Sequence, residues 1–296
     1  MWPVFIFGTG RCGSTHIQRL ITLSTSCWVW GEHEGFLAPL LESVKRCDTG
    51  QELERNVFRI GPRSDDQVIS DMSLGSERLS WLNRFDRTEF QTGVASLIDR
   101  TFRSPLPQGW AEWGFKEIRY GCGNDAPATL LNLFPEATAV FTFRQPRPTI
   151  ESMIRAWGRP SILDSPASSD TFALTYRNCM GLWTKIVKYF LAYKSSTNRK
   201  IVFLSDDKLV KSSKEILETV GLPAVRTIPQ CLGITNPGRK HWPEWASVKF
   251  DELFAKDEAE CLDLFTRASA ESDVDFKIHR RREAHAAIPL GSDRQP

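Results

Sequence analysis

Strands alternating with helices along the chain predict an α/β fold with a mainly parallel central sheet flanked by helices. Three observations carry this expectation. Short continuous apolar runs, such as Val4-Phe5-Ile6-Phe7 and Ala139-Val140-Phe141-Thr142-Phe143, read as strands buried on both faces. Between such runs lie stretches whose apolar residues recur at helical spacing. The first run also passes directly into Gly8-Thr9-Gly10-Arg11-Cys12-Gly13-Ser14-Thr15, a glycine-rich turn into a helix.

Taken in order, Val4–Phe7 is the first strand, and Ile17, Leu20, Ile21 and Leu23 mark the helix after the glycine loop. Cys27–Trp30 is a second strand stopped by Gly31, and Phe36–Val44 is helical. Residues 48–78 are polar and weakly periodic, which suits a mixture of helix and loop. Ser80–Phe102 carries a helical pattern closed by Pro105-Leu106-Pro107. Trp113–Lys116 is a short strand, Ala126–Phe134 a helix, and Ala139–Phe143 a buried strand. Pro148 opens the next helix, its fixed φ being suited to a first turn. Leu174–Tyr193 is a long aromatic-rich helix and Lys200–Leu204 another buried strand. Ser212–Val220 is a helix ended by Gly221-Leu222-Pro223, and Asp251–Thr266 a further one. No linker divides the chain, so residues 1–278 are expected to form one domain, with 279–296 a frayed tail rich in Arg, Ala and Pro.

Composition narrows the function. The 296 residues are 41% hydrophobic and 25% charged, ordinary values for a globule with a sizeable core. Thirty-eight basic against 36 acidic residues leave a formal +2, too little for bulk nucleic-acid binding. Any anionic ligand must therefore meet a local cluster. No apolar run approaches the roughly 18 residues of a membrane helix, and the N-terminus reads as a core strand instead of a signal peptide. The seven cysteines form an odd set without zinc spacing, which fits free thiols in a cytoplasmic protein.

The glycine loop admits three readings. Glycines let consecutive backbone N–H groups converge on an anion, and the following helix adds its positive end. As a Walker A loop it has the spacing from Gly8 to Gly13, but Ser14 stands where a nucleoside-triphosphatase needs lysine. As a dinucleotide loop, Gly8-x-Gly10-x-x-Gly13 fits, and Glu32 and Glu34 follow the second strand where a ribose-binding acid would sit. That reading implies an NAD(P)- or flavin-linked oxidoreductase. The third reading comes from Arg144-Gln145-Pro146-Arg147-Pro148 at the end of a strand, with Ser152 one turn into the next helix. An arginine fork and a hydroxyl so placed can hold a phosphate from two sides.

Together the two motifs resemble those of the sulfotransferases that use 3′-phosphoadenosine 5′-phosphosulfate (PAPS), with their P-loop-NTPase-like architecture. In that family the first motif cradles the 5′-phosphosulfate and the second binds the 3′-phosphate. The resemblance implies that Gly10, Arg11, Cys12, Gly13, Ser14 and Thr15 hold the one, and Arg144 and Ser152 the other. Arg239 and Lys240 match a late basic loop on the 3′-phosphate, and Trp113–Arg119 matches the family's strand with its lysine, here Lys116. PAPS would be the co-substrate and adenosine 3′,5′-bisphosphate the product, with no metal needed.

The resemblance also implies roles. Arg11 and Lys116 would stabilise charge developing on the leaving phosphate. Ile118 occupies the slot where the cytosolic branch keeps a histidine base. The base is then sought in Glu32, His33 and Glu34, with Glu32 and His33 ranked first. The acceptor is expected to be a small molecule bearing a hydroxyl or amine, selected by segments around 36–80 and 158–180. A nucleotide-binding regulator that kept the fold without catalysis is the non-enzymatic alternative.

Overall fold

Residues Val4–Gly8 (β1) alternate two kinds of apolar side chain, and the alternation sets the layers of the fold. In the computed structural model, which describes residues 2–51, 64–73, 86–205, 213–227 and 242–271, every residue of β1 is buried. Val4 and Ile6 point to one side and pack with Val140, Val202 and Leu204, beneath Ile17, Leu20 and Ile216. Phe5 and Phe7 point to the other side and join Phe115, Phe141, Phe203 and Phe190. One face of the sheet is thus aliphatic and the other largely aromatic. Each fully buried side chain of this kind contributes about 1.5–3 kcal/mol relative to exposure.

The sheet is all parallel. Its strands β1, β2 (Cys27–Trp30), β3 (Glu112–Glu117), β4 (Thr138–Phe143) and β5 (Ile201–Ser205) stand in the order β2-β3-β1-β4-β5. Val4 lies opposite Gly114 on one side and Thr138 on the other. The chain leaves β1 toward β2 and β3 on one flank, then returns across to β4 and β5. In open parallel sheets that reversal creates a crevice at the carboxyl ends of the central strands, where ligands bind. The glycine loop opens into that crevice.

Helices α1 (Ser14–Ser24), α2 (Ala38–Thr49), α3 (Asp65–Ser73), α4 (Arg87–Arg103) and α5 (Ala126–Leu133) precede β4. After it come α6 (Pro146–Trp157), α7 (Ser169–Ser196), α8 (Ser213–Val220) and α9 (Glu244–Ala270). Their ends have identifiable causes. Asp86 caps α4 by accepting from the N–H groups of Thr88 and Glu89 at 2.7 and 3.1 Å. Gly221 ends α8 at φ 80°, with its own N–H on Glu218 O and that of Leu222 on Leu217 O, the paired bonds of a Schellman motif. Long helices α7 and α9 pack on the aromatic side, pinned where Tyr176 Oη donates to Asp257 at 2.9 Å.

Several boundaries differ from those expected. Helix α6 begins at Pro146, because prolines at both 146 and 148 suit a first turn whose N–H groups need no partner. Helix α2 starts two residues late, after a left-handed turn at Glu34 and Gly35. Helix α9 starts seven residues before Asp251, since Ala246 and Phe250 already bury against the core. The segments 80–85 and 279–296 lie outside the described residues.

Gly114 is the tightest point of the sheet: a Cβ there would stand 2.2 Å from the carbonyl oxygen of Val4. Gly114→Ala is expected to part β1 from β3 and destabilise the fold by about 3 kcal/mol. Urea denaturation checks this, and a change below about 0.5 kcal/mol would contradict it.

Candidate active site

The loop after β1 is shaped by two close approaches. A Cβ on Gly8 would lie 2.5 Å from Thr142 Oγ1 and 2.7 Å from Cys12 Sγ, so only glycine fits. Those two groups meet under the loop: Thr142 Oγ1 donates to Phe7 O at 3.1 Å and stands 3.1 Å from Cys12 Sγ. With the Thr142 proton on Phe7, the Cys12 thiol is the donor in the second contact. Cys12 is therefore a buried anchor that ties the loop to β4. Above the loop, a Cβ on Gly10 would come 2.8 Å from the indole of Trp157 and 3.3 Å from Ile118 Cδ1, just after β3. Trp157 is half exposed and roofs the loop from the end of α6.

Arg11 adopts φ 52° and Glu34 φ 57°; among the described residues these are the non-glycine residues at positive φ. A left-handed conformation costs such residues roughly 1–3 kcal/mol and persists where other contacts enforce it. Arg11 is held by Nε, which donates to Ser152 Oγ at 2.9 Å. The two sequence motifs, 141 positions apart, therefore meet in one side-chain contact. Gly13 caps α1 with no side chain, and Ser14 and Thr15 open that helix, Ser14 buried and Thr15 exposed. Arg144 is half-buried at the end of β4, beside this contact in the sequence of the second motif. Arg239 and Lys240 lie outside the described residues.

On the β3 side, Lys116 is buried and its Nζ donates to Glu32 Oε1 at 2.5 Å, with Thr15 Oγ1 at 3.4 Å. The other oxygen of Glu32 accepts from Arg119 Nη1 at 3.2 Å. Glu32, Lys116 and Thr15 thus form a polar line from the β2–α2 loop to the start of α1. Arg119 also donates to Glu117, whose carboxylate is fully buried. Burial pushes the Glu117 pKa up, but Arg119 and the N–H groups of Gly35 and Arg119 outweigh it and hold the carboxyl below its ordinary range. Glu34 is exposed on the left-handed turn.

His33 faces inward. Its Nε2 lies 2.9 Å from Tyr120 Oη and its Nδ1 3.6 Å from Glu117 Oε2. Phe36, Phe102, Phe115 and Tyr120 surround the ring at centroid distances of 4.7–5.7 Å. Burial lowers its pKa and prevails over the opposing pull of Glu117. Burial and Glu117 likewise push the Tyr120 phenol up, so it remains neutral. Glu117, Tyr120, Thr142 and Trp157 were not singled out as site residues from the sequence. Each belongs to an ordinary-looking strand, turn or helix end, and only the packing reveals its neighbours.

The strand order separates two readings of the glycine loop. In a dinucleotide fold the second strand adjoins the first, which brings its terminal acid to the ribose. Here β3 stands between them, and Glu32 is engaged by Lys116 and Arg119 instead.

The family model described as the sulfotransferase family matches residues 3–220, and the chain belongs to that family. Among solved structures, the chain is similar to the sulfotransferase domain from the olefin synthase of Synechococcus PCC 7002, at 15% identity and TM-score 0.45, covering 86% of this chain and 93% of that one. It is similar also to the sulfotransferase domain from the curacin biosynthetic pathway, at 15% identity and TM-score 0.43, covering 75% and 74%. A sulfotransferase from Mycobacterium avium matches at 14% identity and TM-score 0.41, covering 86% and 68%. No curated protein matches the chain. Among the described residues, no helix is long and apolar enough to cross a membrane.

The inward setting of His33 gives stability a pH dependence. In the unfolded chain a histidine titrates near 6.5, and in the fold His33 titrates lower. Between the two values the unfolded state binds more protons, so stability falls as pH drops below about 6.5 and levels off once folded His33 protonates. His33→Gln is expected to flatten that part of the stability–pH curve, measured by urea denaturation between about pH 7.5 and 5. Identical slopes in the two proteins would contradict the assignment.

Proposed function

We propose that this chain is a PAPS-dependent sulfotransferase that moves a sulfuryl group onto a hydroxyl or amine of a small molecule. The observation that carries the reading is the 2.9 Å contact between Arg11 and Ser152, because it draws the two anion-binding motifs into one site at the carboxyl edge of the sheet. A nucleotide with phosphate at both 5′ and 3′ positions needs such a pair, and a dinucleotide does not. The glycine loop with Ser14 and Thr15 takes the 5′-phosphosulfate, and Arg144 and Ser152 the 3′-phosphate, with Arg239 and Lys240 assigned to the same phosphate by resemblance.

The acceptor oxygen or nitrogen attacks sulfur in line. The bond between sulfur and the bridging phosphate oxygen breaks, and its electron pair leaves with adenosine 3′,5′-bisphosphate. Arg11 and Lys116 stabilise the charge that develops on that oxygen. The acceptor proton passes to Glu32. Glu32 is preferred to His33 because its carboxylate is partly exposed beside Lys116 and Thr15, whereas both His33 nitrogens face the interior. The near-neutral charge supports a small-molecule acceptor over a nucleic acid, and the cysteine usage supports a cytoplasmic setting. Residues 1–278 are assigned to one domain.

Two measurements test the reading. Calorimetric titration should show binding of adenosine 3′,5′-bisphosphate and none of NADPH or ATP at equal concentration. In the same assay Arg144→Ala should lose about ten- to a hundred-fold in affinity for the bisphosphate and little for adenosine 5′-phosphate. Equal losses for both would remove Arg144 from the 3′-phosphate. The second measurement is the release of the bisphosphate from PAPS with water as acceptor. Glu32→Gln should slow it by about 10²-fold while leaving nucleotide affinity within about threefold. Full activity in that variant would place the base elsewhere.

A further inference from the structure

We propose that Glu117 is a positioning residue: its buried carboxylate sets where Glu32 lies relative to Lys116 and the glycine loop. The proposal rests on the assignment of Glu32 as the base. Glu117 ends β3 and is fully buried, so it reaches neither acceptor nor donor and acts only through its neighbours. Its Oε1 accepts from the N–H of Arg119 at 3.1 Å and from Arg119 Nη1 at 2.9 Å. Its Oε2 accepts from the N–H groups of Gly35 at 2.9 Å and His33 at 3.2 Å. Four donors thus occupy a group with about four acceptor positions.

Those donors belong to the two structures that hold Glu32. The N–H groups of His33 and Gly35 converge on one oxygen across the left-handed turn at Glu34 and Gly35. Such converging backbone N–H groups form an anion-binding concavity. Here the anion is supplied by the neighbouring strand, and the bound turn carries Glu32 immediately before it. Arg119, held on the other oxygen, reaches across to Glu32 Oε2 at 3.2 Å. Glu32 is located twice, once through its own backbone and once through its side chain, from a single carboxylate. Among the described residues, Glu32 is ion-paired with Lys116 and Arg119, and Glu117 in turn faces Arg119 and His33.

An amide cannot replace this carboxylate. Glutamine offers one acceptor oxygen and turns an NH₂ toward N–H donors, so either the turn or Arg119 loses its partner. A base displaced by about 1 Å costs on the order of a hundred-fold in rate.

The test uses the full chain, with PAPS as donor and water as acceptor. Hydrogen exchange at the His33 and Gly35 amides should quicken about tenfold or more in Glu117→Gln, with the amides of α1 unchanged. Turnover should fall about ten- to a hundred-fold with KM for PAPS within about threefold, and Glu117→Asp should restore most of it. In a Glu32→Gln background, Glu117→Gln should cost less than about twofold further, because the residue acts through Glu32. Additive losses, or unchanged exchange at both amides, would overturn the proposal. Should Glu117→Gln fail to fold, Arg119→Gln at the exposed end of the network is expected to give the same loss of turnover and the same lack of additivity. Failure of the sulfotransferase reading looks different: the unmodified protein then neither binds the bisphosphate nor consumes PAPS, while exchange at His33 and Gly35 still responds to Glu117→Gln.

Discussion

The central strand is hydrogen-bonded on both edges to parallel neighbours and buried on both faces, and the remaining geometry follows from that confinement. Parallel pairing brings the ends of β1, β3 and β4 to one edge, so the chain must turn there in little space. Gly8 is pressed against Thr142, the loop doubles back through left-handed Arg11, and Cys12 fills the gap beneath. The aromatic and aliphatic faces occupy both sides of the sheet with helices, and the carboxyl edge is where polar chemistry has room.

Two loops at that edge adopt strained backbone, and each is held by a partner from another strand or helix. Ser152 on α6 holds the side chain of Arg11, and Glu117 on β3 holds the turn at Glu34. In both cases a polar contact across the sheet compensates a local cost, as is usual where geometry serves a site. The exposed charges behave differently from the buried one. Glu32 and Arg119 are partly solvated and free to exchange partners with a ligand, whereas Glu117 is fully satisfied inside and fixed.

Much of the architecture was legible in the sequence because strands buried on both faces leave continuous apolar runs. All five strands fall where the sequence predicts them, β1, β4 and β5 on such runs and β2 and β3 on shorter mixed segments, and the stop at Gly221 was readable because a left-handed helix end favours glycine. Helix α9 began earlier than its periodicity suggested, since Ala246 and Phe250 bury through contacts with α7 that no local pattern records. For the site, the glycine loop and the Arg144–Ser152 element were visible as motifs, and their convergence was implied only by resemblance. Glu117 carries no signal of its role, because nothing in Lys-Glu-Ile-Arg reveals that its carboxylate meets a turn 82 positions earlier. His33 and Glu32 looked equivalent as neighbours in one loop, and the fold sends their side chains in opposite directions.

The bond from Thr142 to Phe7 spans 135 positions, and it has a consequence for how the chain comes into being. Of the five strands described, β1 waits longest for a neighbour, because β3 and β4 follow only after β2 and several helices. Until β3 and β4 emerge, Val4–Gly8 is an apolar segment with two open edges, a template for wrong pairing. Closure of such distant contacts is slow, so β1 gains neighbours on both edges only after β4 has been made. The strand that organises the finished molecule is thus the one that stays longest with both edges open during synthesis.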